Sequence, residues 1–301
     1  MKITYLSNFT DLDFVSKGLS VVLGLFDGVH VGHAQLISTA KYISKDKIAV
    51  LTFDNNLKQD NSEALLSLDD KLNFIGRLGA DEIYVFRAND KFKNIPYLDF
   101  INKILIKFDP KNIFCGADFR FGFRALGDIN SLKEFFPKVT VLNYVNNADG
   151  SKVSSSLIKK YIKEGCIENA NLMLGYSYFV RGRVVKGHKN GRKIGFPTIN
   201  LKLSSSYCLP KKGVYASKIF INGQIYFGMT NVGTHPTIEE ENSIIIETYI
   251  FDFNSNIYGE DVLVTFEKYI RDEHKYSSLD DLCEELKSNE KLIRNYFGLI
   301  Y

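Results

Sequence analysis

Over the first 175 or so residues, short apolar runs alternate with amphipathic stretches. Ser20–Leu25, Ile48–Phe53, Glu82–Phe86, Asn112–Cys115 and Val139–Tyr144 are compact, largely apolar runs, and they read as strands. Between them His33–Ile43, Leu68–Leu78 and Tyr97–Phe108 carry apolar residues at helical spacing, and Asp69 and Asp70 favour the positive end of the second. This β-α alternation predicts a parallel, doubly wound sheet with ligands at the carboxyl ends of its strands. Ser154-Ser155-Ser156 then caps a helix running to about Glu164, and Ile167–Leu174 reads as another. After Gly175 the period changes. Tyr178–Val185, Val214–Ile221, Gln224–Met229, Ser243–Phe253 and Asp261–Tyr269 are strand-like, Asn222-Gly223 marks a tight hairpin turn, and Ser278–Phe297 forms one closing helix. The pattern predicts a boundary near residue 176, with an α/β domain over 1–176 and a small antiparallel β-barrel over 177–301 ending in a C-terminal helix.

Composition narrows the function classes. At 301 residues, two ordinary domains can each bury a core, and 45% hydrophobic with 24% charged residues is usual for a soluble globular protein. The net charge of +3 is small and dispersed, and the longest basic cluster, Lys186 to Lys193, is broken by glycines. Nucleic acid is therefore not an expected partner. Cys115, Cys166, Cys208 and Cys283 have no CxxC spacing and read as thiols in a reducing compartment. No apolar run approaches the length of a membrane span, so a cytoplasmic protein with no membrane partner is expected.

Two of the five histidines fall in Gly24-Leu25-Phe26-Asp27-Gly28-Val29-His30-Val31-Gly32-His33, where the strand ending at Leu25 enters a helix. The first N–H groups of a helix lack partners and attract anions. Gly28 and Gly32 let the backbone approach closely, and His30 and His33 can donate to oxygens that gain charge as an α-phosphate is attacked. A zinc site is not expected, because no cysteine or third histidine lies nearby in sequence.

A second phosphate candidate is Gly187-His188-Lys189-Asn190-Gly191-Arg192-Lys193-Ile194-Gly195-Phe196-Pro197-Thr198-Ile199-Asn200. Its glycines and cations could wrap a polyphosphate, and Thr198 and Asn200 offer hard oxygen ligands for Mg²⁺ shared with a nucleotide. The alternative is a solvated turn. The chain contains neither a Walker loop nor GxGxxG. In Ile244–Phe253 the odd positions Ile245, Glu247, Tyr249, Phe251 and Phe253 share a face, so a carboxylate interrupts an apolar, aromatic row. Burial of such a group costs several kcal/mol unless it is paired or used. Glu247 could accept the proton of an attacking alcohol, or form a structural ion pair with Arg271.

FDGVHVGH at Phe26–His33, Gly116-Ala117-Asp118-Phe119-Arg120-Phe121-Gly122 with Gly127-Asp128, and Val153-Ser154-Ser155-Ser156 together resemble the nucleotidyltransferase half of the bacterial bifunctional riboflavin kinase/FAD synthetases. Gly191-Arg192, Gly195 to Asn200, Gly213-Val214-Tyr215, Asn231 to Thr237, Glu247, Phe251-Asp252-Phe253, Tyr258-Gly259 and Ile270-Arg271-Asp272-Glu273 with Tyr276 resemble that family's kinase module in order and spacing. The resemblance covers nearly the whole chain. It implies a doubly wound nucleotidyltransferase domain followed by a riboflavin kinase barrel. One domain would phosphorylate riboflavin with ATP to FMN, and the other would adenylylate FMN with ATP to FAD and pyrophosphate.

On these motifs the catalytic candidates are His30, His33 and Glu247. Gly24, Phe26, Asp27, Gly28, Gly32, Asp118, Ser154, Ser155 and Lys159 are assigned to one ATP. Gly187, Lys189, Gly191, Arg192, Gly195, Pro197 and Thr198 are assigned to the other. Thr198 and Asn200 would hold Mg²⁺, and Arg271, Glu273 and Tyr276 would lie over the flavin. Two departures fall in the first half: Asn55-Asn56-Leu57 stands where the family usually has PHP, and Lys159 where it usually has arginine. Lysine keeps charge but loses the planar fork that grips phosphate in two places. The alternatives are a kinase whose first domain is degenerate and, more distantly, a non-catalytic flavin-binding regulator.

Overall fold

A computed structural model of the chain describes residues 1–54, 63–187, 194–234 and 244–299, and it divides into two compact units, Met1–Ser155 and Ser156–Tyr301. In the first, β1 (Lys2–Leu6), β2 (Ser20–Leu23), β3 (Ile48–Phe53), β4 (Glu82–Phe86), β5 (Asn112–Gly116) and β6 (Val139–Leu142) form a parallel sheet in the order β1-β4-β3-β2-β5-β6. The chain builds outward from β2 on one side, then crosses to β5 and β6 on the other. The switch point, where such sheets bind ligands, therefore lies beside the carboxyl end of β2. β2 and β4 are buried throughout, and β3 nearly so, because helices cover both faces; that is why these strands are apolar runs rather than alternating ones. β1, with three of its five residues exposed, pairs only with β4 at the sheet edge, and its mixed polarity hid it from the sequence pattern.

Helix Val31–Ile43 begins two residues before the expected start, because His30 itself is the N-cap. Helix Leu68–Arg77 starts at Ser67, whose hydroxyl accepts the Asp70 N–H at 3.1 Å. The stretch from Tyr97 to Phe108 is helical as expected, but Phe100–Leu105 is π-helical within it. Phe100, Ile101, Ile104, Leu105 and Phe108 pack there on Leu51, Tyr84 and Phe86. Helix Ile129–Phe135 lay outside the predicted elements and is capped by Asp128.

In the second unit β7 (Phe179–Val185), β8 (Thr198–Leu203), β9 (Gly213–Ile221), β10 (Gln224–Thr234), β11 (Ile244–Ile250) and β12 (Asp261–Thr265) pair antiparallel in the order β10-β11-β8-β7-β12-β9. Pairing of β9 with β10 closes the barrel. Asn222 and Gly223 both have positive φ, 48° and 81°, which is the hairpin turn their sequence predicts. The expected single strand Asp261–Tyr269 is divided into β12 and β13 (Lys268–Arg271), because Phe266 turns inward and packs edge-on against Tyr215 at 5.2 Å.

Helix Ser155–Glu164 starts at the division, and helix Ile167–Leu174 packs on β13; the compact units thus part at Ser155/Ser156, before residue 176. Asn171 ties the second helix to the barrel, donating to the Phe266 carbonyl at 2.9 Å and accepting the Tyr178 N–H at 2.7 Å. The C-terminal helix Leu279–Tyr296 covers the outer face of β9, β10 and β11. Leu286, Ile293 and Phe297 meet Val214, Ala216, Phe227, Met229, Tyr249 and Phe251 there. Arg294 pins the helix by a two-point pair with Asp252 at 2.8 and 2.9 Å.

Candidate functional site

The turn after β2 is built on strain. Phe26 and Val29 are non-glycine residues with φ of 55° and 36°, and both are buried. A Cβ on Gly24 would lie 2.8 Å from the Phe26 ring, so glycine there makes room for the ring. The turn delivers His30 to the helix N-cap, where its Nδ1 accepts the His33 N–H at 3.4 Å. The two imidazoles stack with centroids 3.6 Å apart, and Phe26 packs edge-on against His33 at 5.1 Å. A Cβ on Gly32 would come within 3.3 Å of the His30 ring.

Burial pushes His30 down to about 4, with Asp27 and Asp118 acting against it. Burial also drives His33 well below the usual histidine range, helped by His30 and by the charge of Lys71. Both rings are neutral near pH 7 and act as hydrogen-bonding groups rather than cations. His33 Nδ1 is buried without a partner, a polar atom suited to a ligand.

Other expected residues converge on the same turn. Asp27 accepts the Leu65 N–H at 2.9 Å on its carboxylate and the Ser155 hydroxyl at 2.7 Å on its carbonyl. Asp118 pairs with Lys152, whose ammonium also lies 4.0 Å over the Tyr144 ring. Ser154 is half-buried beside them in sequence. Lys159 falls in the second compact unit, half-buried, its carbonyl facing the Cys208 thiol at 3.9 Å. Asn55-Asn56-Leu57 lies outside the described residues.

Sequence reasoning missed Lys71. It lies on the apolar face of its helix with Leu72 and Ile75, 3% exposed, and its Nζ donates to the Phe53 carbonyl at 2.7 Å. Burial lowers it to about 8, against the pull of Asp27 and Asp54. The available signal was a lysine four residues before Ile75 on the apolar stripe.

In the second unit, strand register assembles the site. Asn200 on β8 lies opposite Glu247 on β11, which lies opposite Asn231 on β10, which lies opposite Val214 on β9, and Arg271 on β13 follows Val214 past a bulge. Thr198, two residues before Asn200, faces Tyr249. Paired residues share a face, so Thr198, Asn200, Glu247 and Asn231 occupy one outer strip. Gly187 is required beside it, because a Cβ there would collide with the Asn200 amide.

The expectation that Glu247 is a deeply buried carboxylate is corrected. The barrel interior takes the even positions Ile246, Thr248 and Ile250, Glu247 is half-buried outside, and the strand ends at Ile250, before Phe251 and Phe253. The alternative ion pair is corrected as well. Arg271 pairs with Glu285 of the C-terminal helix at 3.1 Å. Glu273 accepts from the Asn231 amide at 3.3 Å and crowds Gly233. The Tyr276 hydroxyl is buried without a partner, with the Arg271 guanidinium 5.8 Å from its ring. Gly195 has φ of 84° and is exposed, as is Pro197. Lys189, Gly191, Arg192 and His235 to Thr237 lie outside the described residues.

Among the described residues no cluster of three His, Cys, Asp or Glu could hold a metal. The hard oxygens of Thr198, Asn200 and Glu247 on adjacent strands fit a Mg²⁺ that arrives with phosphate oxygens.

Comparison with known proteins decides the family. An FAD synthetase family model matches residues 14–157, and a riboflavin kinase family model matches residues 174–297. A Listeria monocytogenes protein named bifunctional riboflavin kinase/FMN adenylyltransferase is 34% identical over 99% of both chains. The chain belongs to the bifunctional riboflavin kinase/FMN adenylyltransferase family. A Bacillus subtilis member is 35% identical over 92% of each chain, and an Escherichia coli member is 30% identical over 94% of each. A crystal structure of a Streptococcus pneumoniae protein described as a macrolide-efflux protein superposes with a TM-score of 0.90 at 32% identity, covering 98% of this chain and 99% of that one. In this family member, no helix among the described residues is long and apolar enough to cross a membrane.

Proposed function

We propose that this chain makes FAD from riboflavin in two ATP-dependent steps, one in each half. The observation that carries the reading is the presence of two separate polar constellations, the stacked His30/His33 turn and the Asn200/Glu247/Asn231 strip, in the halves matched by the two family models. It outweighs a kinase with a degenerate first domain, because that domain retains the imidazole pair at a helix N-terminus and an orphaned His33 Nδ1.

In the kinase half, Glu247 takes the proton of the ribityl 5′-hydroxyl as its oxygen attacks the γ-phosphorus of ATP. The bond from phosphorus to the β-phosphate bridging oxygen breaks, and ADP leaves. Half-exposure suits this role, because the carboxylate stays reachable by a substrate hydroxyl. Asn231 and Asn200 flank it through the register, and Arg271, Glu273 and Tyr276 are assigned to the flavin. Thr198 and Asn200 would hold Mg²⁺ with the nucleotide, and the ion would offset phosphate charge.

In the adenylyltransferase half, an FMN phosphate oxygen attacks the α-phosphorus of ATP and pyrophosphate leaves. The nucleophile is already an anion, so no base is needed. The task is to stabilise charge growing on phosphate oxygens, which neutral His30 and His33 and the helix N-terminus do by donating hydrogen bonds. Gly24, Asp27, Gly28, Gly32, Asp118, Ser154 and Ser155 are assigned to this ATP. The kinase ATP is assigned to Gly187, Gly195 and Pro197, with Lys189, Gly191 and Arg192 between them in sequence.

A crossed pair of variants tests the assignment. Glu247→Gln is expected to lower riboflavin phosphorylation by roughly 10²–10⁴ in kcat and to leave adenylylation of supplied FMN intact. His30→Ala with His33→Ala is expected to do the reverse. Loss of both activities in either variant would contradict two independent sites.

A further inference from the structure

The most unusual charged group in the first unit is one the proposed chemistry has not used. Lys71 is 3% exposed on an apolar helix face, where a methionine or leucine would pack without the cost of burying an ammonium. Its Nζ donates to the carbonyl of Phe53 at the end of β3. Charged and titratable groups face it from the surrounding elements: Asp27 from the turn after β2, Asp54 from the end of β3, and His33 from helix Val31–Ile43. Asp54 is held in turn by the Ala88 N–H at 3.1 Å and by Arg87 at 3.9 Å. The ammonium thus joins the turn after β2 to the end of β3, close enough to His33 for its charge to act on that ring.

We propose that the Lys71 ammonium is a positioning residue for adenylyl transfer, holding the Asp27 turn against the end of β3 so that His33 meets the α-phosphate. The inference rests on the adenylyltransferase reading of this half. Lys71 acts through Asp27 and His33 rather than by touching substrate, because its nitrogen is buried and already bonded to Phe53.

Charge and hydrogen bond can be separated by pH. Lys71 loses its proton as pH rises through about 8, yet the neutral amine still donates to the Phe53 carbonyl. If the charge aligns the turn, adenylyl transfer falls on that alkaline limb. Stability moves the other way. An unfolded lysine keeps its proton to near 10.5, so between about 8 and 10.5 the unfolded chain binds more protons and folding strengthens as pH rises. A merely structural lysine gives no alkaline loss of turnover.

The experiment measures kcat and KM for FAD formation from FMN and Mg·ATP by the full-length chain, from about pH 6.5 to about pH 9.5, a span that brackets the group. Wild type is expected to lose turnover with an apparent pKa near 8. Lys71→Arg, charged throughout, should stay active and lose that limb. Lys71→Met should lower kcat roughly 10²-fold, with KM for ATP little changed, riboflavin phosphorylation intact and urea stability at neutral pH equal or higher. An absent alkaline limb in wild type, the same limb in Lys71→Arg, or normal turnover in Lys71→Met overturns the proposal. The first two comparisons hold even if the methionine variant fails to fold. No FAD from wild type at any pH overturns the adenylyltransferase reading, and Lys71 with it. FAD from wild type with normal turnover in Lys71→Met overturns Lys71 alone.

Discussion

Two imidazoles stacked 3.6 Å apart would repel if both were charged, and burial keeps them neutral. That neutrality costs stability in acid. In the unfolded chain each ring takes a proton near 6.5, while in the folded chain His30 does so only near 4 and burial holds His33 well below the usual histidine range. Folding free energy is therefore intact above about pH 6.5 and falls as pH drops toward 4, at up to about 1.4 kcal/mol per pH unit for each ring. Urea midpoints measured between pH 7 and pH 5 should show this slope, and His30→Asn with His33→Asn should flatten it; equal slopes would mean the rings are not buried as described. The pair itself was legible in the sequence, because glycines flank it at a strand-to-helix junction. Lys71 was not, because a single lysine on an amphipathic helix reads as a solvated residue until packing shows that its head is enclosed.

Most strands and helices were readable from period alone, and β3, β4 and helix Ile167–Leu174 have the expected bounds. β8 was not. Gly195 and Pro197 precede it, Thr198 and Asn200 lie on it, and its pairing partners are far away in sequence, so it read as a phosphate loop. For the same reason the contact between Asn200 and Glu247 was invisible beforehand, since only register brings them opposite each other. Helix Ile167–Leu174 was found, and it falls within the second compact unit. It buries Ile167, Ala170, Met173 and Leu174, and Asn171 bonds to both the Phe266 carbonyl and the Tyr178 N–H. A fragment of residues 156–301 should therefore fold and convert riboflavin to FMN, while one of residues 177–301 should lose several kcal/mol by exposing these contacts. Equal denaturation midpoints for the two fragments would show that the helices contribute nothing to the barrel.

At the scale of the whole chain, the shift from helical to strand period near Gly175 gave two architectures, and each carries its own chemistry. The first half places two buried imidazoles at a helix N-terminus, to which the proposed function assigns the charge that grows as an anionic nucleophile attacks. The second places a half-exposed carboxylate between two amides in the strand register, to which the proposed function assigns the proton of an attacking alcohol. With a riboflavin kinase domain and an FAD synthetase domain in one chain, FMN is the product of one half and the substrate of the other. The sequence departs from the family's usual pattern at Asn55-Asn56-Leu57 and Lys159, both read against the adenylylation motifs, so that step is the one to measure. Purified full-length protein is incubated with riboflavin, ATP and Mg²⁺, and the flavins are separated and identified by mass over time. FMN should appear first and FAD after it, with one pyrophosphate released per FAD; FMN accumulating with no FAD at any pH, or riboflavin left unchanged, would contradict the assignment of two activities to this chain.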